Sequence, residues 1–282
     1  MKSDLFALAA IALWATLAPL GVTLSHVPPF LLTGIALLIG SLIALPLSGF
    51  RLTAWKIPSA TLALGVYGLF GFHLLLFLAL RHAPAVEANL VNYLWPLGMV
   101  VLAPLILQGM RLRWAHVGAA LLGFAGAAIA ILGRGTSDSE TSGGLPIGYL
   151  FALGSAFIWS SYSLATRRVP PFKTAAVGSF AFVSGVLSLA CHALFEPAMA
   201  LSTDDLLRIG VLGIGPLGGA FFLWDAAIKA GDPRRIGIFA FLTPLLSTVL
   251  LIVTTGQEFR ASILVAAALI IGAAEWGRRA TA

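Results

Sequence analysis

Residues 79–102 read ALRHAPAVEANLVNYLWPLGMVVL, and residues 227–250 read AIKAGDPRRIGIFAFLTPLLSTVL. At a constant offset of 148 these two stretches share six of 24 positions, among them Leu94/Leu242, Pro96/Pro244 and Leu97/Leu245. Arg81/Lys229 and Tyr93/Phe241 are alike in kind. Each copy is a short basic turn followed by a long apolar helix with a proline near its middle. A long-period repeat decides the architecture before any local reading does.

Other pairs extend it. LFALAAIALW at 5–14 answers LFALGSAFIW at 150–159, with Trp14 on Trp159, and VPPF stands at both 27–30 and 169–172. The offset runs from 145 to 142 to 148, so the halves differ by small loop insertions. The chain therefore divides into a repeat at 1–132, a linker at 133–145 and a second repeat at 146–282. The linker contains RGTSDSETSGG (134–144), the one clearly polar run in the chain.

The composition gives the solvent. Hydrophobic residues make up 59% of the chain and charged residues 10%, against about 25% charged in a soluble domain. Spans of about 20 apolar residues are expected at 4–25, 29–48, 59–80, 84–107, 112–132, 146–167, 173–195, 207–229, 233–254 and 261–277. The fold class is an all-α polytopic membrane protein, with the lipid bilayer as its main partner. The first apolar run reads as a span and not as a signal peptide, because its repeat mate is internal. The net charge of +6 is scattered between apolar spans and does not point to nucleic acid. A single cysteine, Cys191, excludes an internal disulfide or a cysteine metal cluster, and no cofactor is expected.

Basic residues orient the chain. With the N-terminus inside, 13 of the 17 Lys and Arg lie on the cytoplasmic side, leaving Arg81, Arg134, Arg208 and Arg260 outside. Both termini are thus predicted to be cytoplasmic. Five spans per half is an odd number, so the halves insert upside down relative to each other. Such inverted repeats place a substrate site at mid-membrane between the halves.

The 5+5 arrangement, with the A-l-R/K-x-x-x-P/D…L-x-P-L pattern at the fourth span of each half, resembles the EamA-type transporters of the drug/metabolite transporter superfamily. The overall sequence is similar to that family's bacterial aromatic amino acid exporters. The resemblance implies a small-molecule substrate, export across the bacterial inner membrane and a central cavity lined by both halves. The family often carries a Gly-Glu pair after the fourth span. Here Gly109-Met110 lacks the acid, and the second half has Gly256-Gln257-Glu258.

Several residues are candidates for the site. Pro96 and Pro244 lack an N–H and are expected to kink their helices, freeing the carbonyls of Asn92 and Ala240. Asn89, Asn92, Tyr93 and Pro96 fall on one face of span 4, where amides suit a zwitterion or an interhelical bond. Glu87 begins that helix, where it suits the positive dipole end or a gate. Ser155, Trp159, Tyr162 and Thr166 share a face of span 6, and Trp14 answers Trp159 from span 1. Trp14, Tyr93, Trp159 and Tyr162 are expected to line one chamber for an apolar or aromatic group. His73 is the ionisable residue deep in span 3. Asp225 and Lys229, spaced i, i+4, are expected to pair with each other. Small residues on span 5 (Ala119, Gly123, Ala127) and span 10 (Ala268, Gly272) suit close packing in a monomer or a homodimer face.

Among functions, an exporter of aromatic or other apolar amino acids fits these residues. A carrier of nucleotide sugars or phosphorylated metabolites would need mid-span Lys or Arg, and none is present. A multidrug exporter of apolar cations stays open, although the first span carries no acid. An intramembrane enzyme lacks an aspartate pair, a second histidine near His73 and a GxSxG or HExxH pattern.

Overall fold

Ten helices, each 19 to 28 residues long and apolar enough to cross a bilayer, make up the described part of the chain. The computed structural model describes residues 2–132, 146–256 and 261–281. The linker 133–145 with Arg134, and Gln257, Glu258 and Arg260, lie outside them. The spans are 1 (Lys2–Thr23), 2 (Pro29–Leu47), 3 (Ser59–His82), 4 (Ala85–Ile106), 5 (Trp114–Leu132), 6 (Ile147–Ala165), 7 (Thr174–Phe195), 8 (Thr203–Ala230), 9 (Pro233–Thr254) and 10 (Ala261–Ala280). Helix is the form an apolar chain adopts in hydrocarbon, because it bonds its own backbone groups.

Span 8 starts four residues before the 207 expected from hydropathy. Ser202 accepts from the Asp205 N–H at 3.1 Å, and the Ser202 N–H donates to Asp205 Oδ2 at 3.0 Å. This reciprocal capping box satisfies two helix-end donors and lets the helix begin in a polar run.

The packing between halves follows the repeat. Span 2 lies on 7, 4 on 9 and 5 on 10, while 1 lies on 8 and 6 lies on 3. Exchanging each span for its mate five positions on leaves this pattern unchanged, as an approximate two-fold relation requires. Spans 2 and 8 approach so closely that a Cβ on Gly40 would sit 2.7 Å from Gly218 Cα. Only glycine fits there.

Spans 4 and 9 are interrupted rather than merely kinked. Span 4 is Ala85–Asn92 and then Trp95–Ile106, and span 9 is Pro233–Phe239 and then Leu242–Thr255. Pro96 and Pro244 sit in the first turn of the second piece, where a helix has no use for the missing N–H. The expectation of a freed Ala240 carbonyl is corrected. That carbonyl accepts from the Thr243 N–H at 3.0 Å, because the tightened turn offers a donor three residues on.

Spans 3 and 8 share a feature that hydropathy does not reveal. Each contains a π turn, at Tyr67–Gly71 and at Gly215–Gly219. The two starting residues are separated by 148 positions, the offset of the repeat itself.

On span 10 the small residues named from the sequence are not the ones packed within the chain. Its packed face is Ala266, Ile270, Ala273 and Gly277, whereas Ala268 and Gly272 are exposed. On span 5, Ala119, Gly123 and Ala127 are buried as expected.

Polar groups fasten the span ends. The Glu196 carboxylate, with 1% of its side chain exposed, accepts from the Phe30 and Leu31 N–H groups at 3.0 and 3.2 Å. It therefore caps the start of span 2. His192 Nδ1 and Arg81 also reach it, at 3.0 and 3.5 Å. At the other end of the bundle, Lys229 Nζ donates to the Phe172 carbonyl at 2.9 Å and lies 3.5 Å over that ring. Arg81 and Lys229 are repeat mates, as are Phe30 and Phe172.

Candidate functional site: an aromatic box between the halves

Four tryptophans meet in the interior. Trp14 comes from span 1, Trp95 from span 4, Trp159 from span 6 and Trp224 from span 8. Trp14 lies 6.3 Å from Trp95, 5.8 Å from Trp159 and 5.1 Å from Trp224, measured between ring centroids. Trp95 lies 5.5 Å from Trp224 and 6.4 Å from Trp159, which is 6.4 Å from Trp224. Every pair is in contact, within the range where aromatic faces and edges attract. None of the four is more than 8% exposed.

Further rings close the box. Phe221 packs on Trp14 and Trp159 at 6.3 and 5.5 Å, and Phe72 on Trp159 at 5.3 Å. Tyr162 packs on Trp159 at 5.5 Å, one turn along span 6. His73 stands beside Phe72, Phe77 and Phe221. His73 and Phe221 are themselves repeat mates. The His73 Nδ1–H donates to the Leu69 carbonyl of its own helix at 2.6 Å.

The spacing of the helices explains why these side chains converge. Asn92, Trp95 and Met99 recur at i, i+3 and i+7, and all three are buried. Ser155, Trp159, Tyr162 and Thr166 follow the helical period along span 6 and are likewise buried. The indole N–H of Trp224 donates to Ser163 Oγ at 3.0 Å, so one polar end of the box is satisfied by span 6.

The structure brings Trp14, His73, Trp159 and Tyr162 together. Asn92 lies beside them, but its Oδ1 accepts from Ser155 Oγ at 2.7 Å, which fastens span 4 to span 6. Asn89 and Tyr93 are half-buried, the latter at the interruption of span 4. Glu87 is exposed in the first turn of span 4 and accepts from the Tyr149 hydroxyl of span 6. Pro96 and Pro244 are buried at the starts of the second segments. Asp225 and Lys229 pair as expected, at 2.6 Å.

The sequence reading missed Trp95 and Trp224. Trp95 lies three residues after Asn92 and so on its face, a signal that was present. Trp224 falls opposite Leu76 in the repeat, so comparison of the halves hides it.

Comparison with known proteins agrees with this architecture. The EamA-like transporter family matches residues 1–132 and again 146–274. The aromatic amino acid exporter YddG of Ancylobacter novellus is 40% identical, over 97% of this chain and 96% of that protein. The protein of the same name from Escherichia coli K12 is 27% identical, over 96% and 94%. A solved crystal structure superposes with a TM-score of 0.88 at 39% identity, covering 98% of this chain and 97% of that one. With both halves matched and ten apolar spans in place, the chain belongs to the EamA-like transporter family and is a multi-pass exporter of the bacterial inner membrane, not an enzyme.

Proposed function

We propose that this transporter carries amino acids with aromatic or other apolar side chains out of the cytoplasm. The halves 1–132 and 146–282 move against each other, joined by the linker 133–145, and expose the site between them alternately to the two sides. Both termini lie in the cytoplasm, following the basic-residue count.

The observation that carries the reading is the aromatic box. Its rings come from spans 1, 3, 4, 6 and 8, so it spans the contact between the halves. A relative movement of the halves opens it and offers π faces to an apolar side chain. The names of the two exporters support the same substrate class. The test is counterflow in proteoliposomes with labelled phenylalanine, threonine, alanine, a lipophilic cation and a nucleotide sugar. Exchange of phenylalanine well above alanine is the expected result. Exchange of the cation alone would replace this reading with multidrug export.

A further inference from the structure

Spans 3 and 8 carry matching anchors near one end and differ in what stands beside them. Arg81 answers Lys229 and Phe30 answers Phe172, but Phe77 answers Asp225. In the first half Phe77 packs edge-on against Phe30 at 5.2 Å. In the second half the Asp225 carboxylate takes that place and holds Lys229 at 2.6 Å, with Lys229 seated over Phe172.

An ion pair is not the only way to close this place. Buried ion pairs contribute little net stability compared with well-packed apolar groups, and the first half closes the equivalent place with a ring. The pair is also incomplete. Asp225 is 4% exposed, yet its Oδ1 makes no hydrogen bond. Thr174 faces the carboxylate but stands outside hydrogen-bonding geometry to Oδ1. A buried carboxylate oxygen without a donor is unfavourable unless a donor arrives.

Its location names the donor. Asp225 follows Trp224 of the box directly, and the neighbouring span 6 carries Tyr162, which packs on Trp159. The pair stands near the end of span 8 that leads to Arg234 and Arg235, the side assigned to the cytoplasm.

Building on the proposed function, we infer that Asp225 and Lys229 read the head group of the substrate on its way into the box. The substrate ammonium binds Asp225 Oδ1, its carboxylate takes a donor from Lys229, and its side chain lies against Tyr162 and Trp224. The group recognised is a zwitterion, in which opposite charges stand close together as they do in the pair itself.

The experiment uses the full chain in proteoliposomes. Phenylalanine transport is measured with 3-phenylpropionate, which lacks the ammonium, and phenethylamine, which lacks the carboxylate, as competitors. Asp225→Asn is expected to raise the KM for phenylalanine about tenfold or more, while competition by 3-phenylpropionate is preserved. Lys229→Gln is expected to preserve competition by phenethylamine instead. Asp225→Glu, which keeps the carboxylate, should retain most of the affinity and shows that the site tolerates substitution. The double variant Asp225→Lys with Lys229→Asp should not recover the wild-type KM, because the zwitterion now meets charges in reversed order. The inference is overturned if Asp225→Asn leaves the KM unchanged, if it weakens all three ligands by one factor, or if the exchanged pair recovers the wild-type KM. Failure of the wild type to move phenylalanine would instead refute the proposed function, and this inference with it.

Discussion

Replacing Trp159 with alanine removes the ring that makes the most contacts in the box. Its indole touches Trp14, Phe72, Trp95, Tyr162, Phe221 and Trp224 at 5.3–6.4 Å. Aromatic pairs contribute about 0.5–1.5 kcal/mol each beyond burial, and neighbours in one cluster do not add fully. Six contacts therefore set a loss of about 3–5 kcal/mol, the range for a buried tryptophan cut to alanine. At about 2–4 °C per kcal/mol, the melting temperature should fall by roughly 6–20 °C. The single cysteine, half-buried in span 7, supplies the assay. Its reaction with a fluorogenic maleimide during a thermal ramp in detergent reports unfolding. Trp159→Phe keeps a ring and should lose less than half as much. In transport, Trp159→Ala should shift the phenylalanine-to-alanine rate ratio several-fold towards alanine. A fall of under about 3 °C, or equal loss for both substrates, would refute the role of Trp159 as the centre of the box.

Ser155→Ala removes the donor to Asn92 and should lower stability by about 0.6–1.7 kcal/mol in the same thermal assay. Gly68→Ala places a Cβ in the Tyr162 ring and should cost about 1–3 kcal/mol through overpacking. Tyr162→Ala should relieve that penalty in the double variant, giving clear non-additivity. Glu196→Ala leaves the Phe30 and Leu31 N–H groups without their cap and should cost about 1–3 kcal/mol, read as a drop in melting temperature. For topology, single cysteines at the exposed Ser25 and Thr53 in a Cys191→Ser background should react with an impermeant maleimide on intact cells at 25 and not at 53. The reverse pattern would invert the assignment of sides.

The spans were legible because hydrocarbon enforces one rule along each of them: about 20 residues that bury no unpaired polar group. The inverted pairing followed from the odd number of spans per repeat. Trp14, Trp159 and Tyr162 were legible as a face because helical spacing fixes which side chains share a side. Asn92 shows where that reasoning stops. Spacing placed it correctly, but only the structure shows its amide oxygen engaged by Ser155 rather than turned to an open chamber. Pro96 and Pro244 marked the right places and suggested the wrong local geometry, since a proline reads alike inside a kinked helix and at the start of a new one. Trp224 was hidden because its importance comes from meeting three other spans, and the repeat offered only a leucine for comparison.

The π turns in spans 3 and 8 have a rotational consequence. One additional residue in a turn advances everything after it by about 100° around the helix axis. After each turn comes an 11-residue helical segment, Phe72–His82 in one half and Ala220–Ala230 in the other. Those segments carry Phe72 and His73 on one side and Phe221, Trp224 and Asp225 on the other. The angular phase of every one of these groups is set by the inserted residue and not by the residue that bears the group. Shortening either turn by one residue, for instance by deleting Leu69 or Leu217, would swing a whole segment towards lipid while leaving its composition and hydropathy almost unchanged. The extra residue stands at the same register in both halves, so the two segments take the same rotational offset.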